Sequence, residues 1–228
     1  MIGAVVPLSV FCLSDGAEPM TGFAVAAALA VLPILVIAGT SFLKISVVLA
    51  ILRSALGAPG VPPTIVLTAL SATLTMFVMA PVASEMVDAA QLSSDTVDKP
   101  ASAHGGWDEL KSIYTAVSPP MLDFLKHNAS QGEVAFFKTL AGDASEGEGF
   151  RILLPAFAVG EIAEAFLMGV LLFIPFLVVD LIVAMVLASL GMPMLSPTAI
   201  SLPLKLLLFV AVDGWHVILS GLLVNYGA

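Results

Sequence analysis

A chain of 228 residues that is 59% hydrophobic and 11% charged, with a mean hydropathy of +1.08, has too few polar side chains to cover a soluble core. Its surround must be lipid or other protein. The formal charge of −9 and the eight Lys and Arg, scattered from Lys44 to Lys205, exclude the basic patch that nucleic acid requires.

Residues 1–21 read as an N-terminal arm. An apolar stretch, 2–13, precedes a polar one, 14–18, as in a signal peptide, but the basic opening is missing. The single cysteine, Cys12, can form no internal disulfide. Residues 22–43 carry no charge and exceed the roughly 20 residues that cross a bilayer as helix. The helical pattern continues through Lys44 and Arg53 to Leu56, where Gly57 offers a cap. So long a helix is expected to tilt, to protrude from the membrane, or to kink at Pro33 or at Gly39-Thr40-Ser41. The glycines and prolines of 57–63 make a turn, and 64–84 form a second uncharged arm, so 22–87 is a first apolar hairpin.

Between Asp88 and Arg151 lie ten of the seventeen acids and five of the eight bases, which marks a polar, acidic insert. Short helices are expected at 107–117 and 120–126, and a loop at 142–149. A third apolar run, 152–190, contains Glu161, Glu164 and Asp180. Gly191 to Pro197 break it, and a last arm, 198–226, carries Lys205 and Asp213, so 152–228 is a second hairpin. Arg53 beside the first turn would place that turn in the cytoplasm and the insert on the periplasmic side.

A charge at the centre of a membrane helix costs at least about 2.5 to 3.5 kcal/mol, so Lys44, Glu161, Glu164, Asp180, Lys205 and Asp213 each need a partner or water. Arg53, nearer a turn, can reach the headgroups. Glu161 and Glu164 are three apart and share a helix face; Lys44 and Arg53, nine apart, lie on opposite faces and must meet different surroundings. That pattern suits a subunit wedged between neighbours. No phosphate-binding glycine loop, paired-cysteine site or histidine pair occurs, and His104, His127 and His216 read as solvated or interfacial, so neither an enzyme, a metal nor a cofactor is expected. Intramembrane acids such as Asp180 and Asp213 keep an ion or solute transporter open. Met76 and Met79 read as core filler; Met192 and Met194, flanking Pro193, read either as a buried turn or as flexible side chains able to close around a passing chain.

Three blocks carry a resemblance. Thr40-Ser41-Phe42-Leu43-Lys44-Ile45-Ser46-Val47-Val48-Leu49, Leu52 to Gly57 and Pro62-Pro63, closed by Met79-Ala80-Pro81-Val82, form the first. Phe173-Ile174-Pro175-Phe176-Leu177-Val178-Val179-Asp180-Leu181 is the second, and Ala188 to Pro197 with Ile200 to Phe209 and Val212-Asp213-Gly214-Trp215 the third. In wording and order they resemble the SctR/YscR/HrcR family of type III secretion export-gate proteins, the injectisome counterpart of flagellar FliP.

The resemblance implies an all-α membrane protein of two long helical hairpins separated by a polar insert. It implies five copies assembled with SctS-like and SctT-like subunits into a closed helical cone in the bacterial inner membrane, much of it toward the periplasm, served by SctU-like and SctV-like export components. Unfolded secreted proteins would pass through its centre. It places a methionine gasket at Met192, Pro193 and Met194, where this chain has a proline between two methionines. It also implies contacts between subunits through Glu161 and Lys205. A flagellar gate subunit is the alternative.

Overall fold

The computed structural model describes residues 30, 33–58, 60, 62–94, 105–142, 149–192 and 194–226. The N-terminal arm with Cys12, and also His104 and Pro193, lie outside them. Residues 1–37 form one unit, of which helical residues 30 and 33–37 are described; residues 38–228 form a second. The second is all-α among its described residues. Its helices are α1 (Phe42–Leu56), α2 (Thr64–Ser94), α3 (Gly105–Asn128), α4 (Gln131–Ala141), α5 (Phe150–Ser189), α6 (Pro197–Ala211) and α7 (Gly214–Val224).

Helix α1 begins after a non-helical Thr40-Ser41, at one of the two kink positions legible in the sequence. Its buried residues, Lys44, Ile45, Val48, Leu49, Leu52, Ala55 and Leu56, recur every three or four and make one stripe. That stripe lies mainly against α5. The helices approach closely because Gly169 of α5 has no side chain: a Cβ there would stand 2.4 Å from Cδ1 of Ile51 and 2.9 Å from its Cγ2. At its end α1 is closed by Gly57, at φ 70° in the left-handed region, whose N–H donates to the Ser54 carbonyl.

Helix α2 runs past the end expected at residue 84 and carries Pro81 in its interior. The missing N–H removes one ladder bond, but good helix formers beyond it, Ala83, Glu85, Met86, Ala89 and Ala90, carry the helix on. Its buried positions are Leu67, Ser71 and Val78; Met76 lies on the other face, 75% exposed, and does not fill this core. In the insert, the two short helices read from the sequence are one, α3, which continues through Pro119-Pro120. Packing outweighs the two lost bonds there, because Met121, Leu122, Phe124 and Leu125 seat against the start of α5.

The apolar residues gather in two clusters joined by α5. One holds the buried face of α1, Leu67 of α2, Ala165 and Phe176 of α5, Phe209 of α6, and Ile218 and Leu222 of α7. The other holds Leu125, Ala129, Val134, Ile152, Leu153, Ala156 and Phe157, so the polar insert buries its apolar side chains against the start of α5. The last arm, expected as one helix, breaks at Asp213 (φ 51°), and α6 and α7 diverge by 61°. Aspartate tolerates the left-handed region, and Gly214 admits the Phe209 ring, which a Cβ would approach to 2.3 Å.

By length and composition, residues Thr64–Ala89 of α2 and all of α5 can each cross a membrane, and α6 with α7 pass as one bent span. At 1.5 Å per residue the 40-residue α5 is about 60 Å long, twice a hydrocarbon core of roughly 30 Å.

Gly169→Val should force α1 and α5 apart and lower stability in detergent by about 1 to 3 kcal/mol. Ile51→Ala in the same chain should recover much of that loss in thermal unfolding followed by size-exclusion chromatography; no recovery would show that the contact does not set the helix spacing.

Candidate functional site

Charged side chains that lipid would penalise are drawn inward and clustered. At the start of α1, the Lys44 ammonium lies 3.1 Å from Oε1 of Glu161 and 2.7 Å from Oε2 of Glu164. Lys44 and Glu161 are 1% and 2% exposed, whereas Glu164 is 45% exposed. Two carboxylates thus share one ammonium. The surplus negative charge is met by neutral donors from the last two described residues: the Tyr226 hydroxyl donates to Oε2 of Glu161, and the Asn225 amide donates to Oε2 of Glu164 at 2.8 Å. The Tyr226 ring also lies under the ammonium, 4.6 Å from centroid to Nζ, and stacks on Phe124 at 6.4 Å. One cluster therefore ties α1, α5, α3 and the end of the chain together.

A second cluster sits at the other end of α1. The Lys205 ammonium pairs with Oδ2 of Asp180 at 2.7 Å and donates to the Ala55 carbonyl at 3.1 Å. That carbonyl belongs to the last turn of α1, where the helix has no partner for it and a positive charge is favoured. Ser201 donates to the second Asp180 oxygen, Oδ1, at 2.5 Å. Lysine, aspartate and serine thus fasten α6, α5 and the end of α1.

Lys44 and Arg53 do meet different surroundings, as their spacing required, but this chain itself supplies both. Arg53 turns toward α2 and donates to the Thr64 hydroxyl at 2.6 Å, with no carboxylate partner among the described residues. Asp213, read from the sequence as an intramembrane charge, sits exposed at the α6–α7 break. Glu161 and Lys205 lie in separate clusters within the chain, each already paired with another residue.

The loop between α5 and α6 is fixed at both ends. Gly191, at φ 70°, donates to the Ala188 carbonyl and Met192 N–H to the Leu187 carbonyl, a left-handed helix closure; Pro197 opens α6 at its first position. Between them Met192 is 49% exposed and Met194 97%. Pro193 lies outside the described residues.

A model described as the FliP family matches residues 25–222, which take in α1 through α6 and most of α7. The chain belongs to the FliP family. It is 40% identical over 211 residues to a probable translocation protein, y4yL, of Sinorhizobium fredii, covering 89% of this chain and 92% of that one. To the harpin secretion protein HrcR of Erwinia amylovora it is 38% identical over 217 residues, 92% and 97% of the two chains. To the flagellar biosynthetic protein FliP of Cereibacter sphaeroides it is 43% identical over 206 residues, 87% of this chain and 64% of the longer relative. The two ionic clusters and the methionine loop of this family member all fall within the matched span, except Asn225 and Tyr226, which follow it.

Sequence reasoning missed Ser201, Asn225 and Tyr226. Ser201 stands four residues before Lys205, hence on the same helix face, and could have been found that way. Asn225-Tyr226 close an apolar arm and carry no periodic signal.

Lys44→Met should strand two carboxylates against apolar surface and destabilise the chain by about 3 to 5 kcal/mol. Adding Glu161→Gln and Glu164→Gln should restore most of the folded yield in detergent, since the neutral set leaves no unpaired charge. A triple variant as unstable as Lys44→Met would mean that the cluster does more than neutralise itself.

Proposed function

We propose that the chain is a pore subunit of a bacterial type III secretion export gate in the inner membrane, forming with other copies a closed channel for unfolded secreted proteins. The observation that carries this reading is the near full-length similarity to y4yL and HrcR, whose names describe translocation and harpin secretion. The mechanism is regulated closure, and the work of transport comes from partner components. Five copies join SctS-like and SctT-like subunits, and SctU-like and SctV-like components serve the same gate.

The loop of Met192, Pro193 and Met194 is the proposed closure. Support comes from its geometry: two thioether side chains project from a turn whose ends are pinned by helix closures, while the helices behind it are fastened by the Lys205–Asp180 cluster. Flexible, polarizable side chains can pack against one another when the channel is empty and against varied chains when it is occupied. A contact of Glu161 or Lys205 with a neighbouring subunit requires each to share or leave its partner within the chain. A flagellar gate is the second reading, favoured by the 43% identity to the Cereibacter protein; loss of effector secretion with motility intact separates the two.

Native mass spectrometry of the chain co-expressed with its small membrane partners should give a complex with five copies. A stable monomer or dimer that ignores those partners would favour a transporter instead.

In that complex, Met192→Ala with Met194→Ala should raise ion leak across reconstituted vesicles severalfold without changing the subunit count. An unchanged leak would remove these two residues from the seal.

A further inference from the structure

Between α1 and α2, beside the turn that joins them, lies an open cavity of about 770 Å³. Its lining divides by hydrogen-bonding character. Arg53 is a cation without an acid partner among the described residues, and it uses one N–H on the Thr64 hydroxyl. Thr64 accepts that bond, which leaves its own proton to donate. Also in the lining, the hydroxyls of Ser54, Thr68 and Ser71 donate to the carbonyls of Ala50, Thr64 and Leu67, so each oxygen keeps lone pairs and no proton for a ligand.

The lining thus offers donors and positive charge at Arg53 and Thr64, and acceptors alone at Ser54, Thr68 and Ser71. The cavity also opens where the apolar stretch Thr64–Ala89 begins, which is headgroup depth for a helix that crosses the membrane. Beside it α2 presents Ile65 and Val66 outward, 70% and 51% exposed.

We propose that this cavity binds a membrane phospholipid whose headgroup carries its own N–H or O–H donors, an ethanolamine or a glycerol. The phosphodiester meets Arg53 and Thr64, the headgroup donor meets the serine and threonine oxygens, and the acyl chains cover Ile65 and Val66. A choline headgroup has the phosphate but no donor, so it satisfies only half of the lining.

The test exchanges the full chain, purified in mild detergent and also as the partner complex, into mixed vesicles of phosphatidylethanolamine, phosphatidylglycerol and phosphatidylcholine, then counts retained lipid by native mass spectrometry. The expected result is about tenfold preference for the first two over choline lipid, lost in Arg53→Gln. Thr68→Val with Ser54→Ala should keep the lipid but lose the preference, which reads out the acceptor hydroxyls even if Arg53→Gln does not fold. Equal retention of all three lipids by the unmodified chain, or retention unaltered by Arg53→Gln, overturns the proposal. Displacement of the lipid by millimolar glycerophosphoethanolamine would assign the site to a free phosphodiester and overturn the lipid assignment. So would a cavity that loses its lipid on assembly because a neighbouring subunit's carboxylate reaches Arg53, detected by cross-linking.

Discussion

Burying Lys44 at 1% exposure on a helix face otherwise made of Leu, Ile, Val and Ala is possible only because α5 delivers two carboxylates to one spot. An unpaired ammonium there would carry a desolvation penalty of several kcal/mol. The register of α1 on α5 follows from that. Slipping α1 by one turn would move the ammonium about 5.4 Å from its partners and take Ile51 off Gly169. The apolar contacts hold the helices together, and the ions together with the Ile51–Gly169 contact decide which residues face which. Lys205 repeats the device at the other end. Along α5 its partner Asp180 stands sixteen residues beyond Glu164, about 24 Å on. Two fixed points that far apart define both the position and the direction of α1.

That frame matters because the loop at the tip of the α5–α6 hairpin has little of its own to hold it. Its backbone is closed by Gly191 at one end and Pro197 at the other, but Met194 touches almost nothing within the chain. A soft tip on rigid supports can conform to whatever meets it without transmitting the change into the bundle. With Lys205, Ser201 and Asp180 fastening α6 to α5 just behind the loop, deformation of the tip is confined to the tip.

The sequence made the charged residues conspicuous, and it correctly put Glu161 and Glu164 on one face and Lys44 and Arg53 on two. Those statements need only the 100° step of a helix. Pairing was not legible, because which acid meets which base depends on how α1 crosses α5, and that is set by Gly169 accepting Ile51. Tyr226 escaped notice for a related reason: its partners Glu161, Lys44 and Phe124 come from three helices, and no spacing within the sequence links them. The boundary that differed at Pro119-Pro120 did so where proline has a strong local preference against continuation and tertiary packing overrode it, whereas α2 outran its expected end at residue 84 because the stretch beyond still favours helix.

The faces that α5 turns away from the bundle make the case for assembly on length alone. Exposed apolar side chains run along it from Val159 and Ile162 through Phe166, Val170 and Ile174 to Val186, with Leu190 just beyond its end. Thirty-one steps of 1.5 Å make that apolar stretch about 46 Å long, and a tilt of about 20° shortens it only slightly. The hydrocarbon core is roughly 30 Å thick. At least ten ångströms of apolar helix therefore project beyond lipid on one side or the other, where water would meet Leu, Phe and Val. Thickening the bilayer would cost fractions of a kcal/mol for every ångström of that mismatch. Another protein surface covers it without that cost. With Glu161, Glu164 and Asp180 paired to lysines of its own bundle, that surface is recognised by shape and apolar burial. The partner chosen is then the one whose helices fit the exposed ridges.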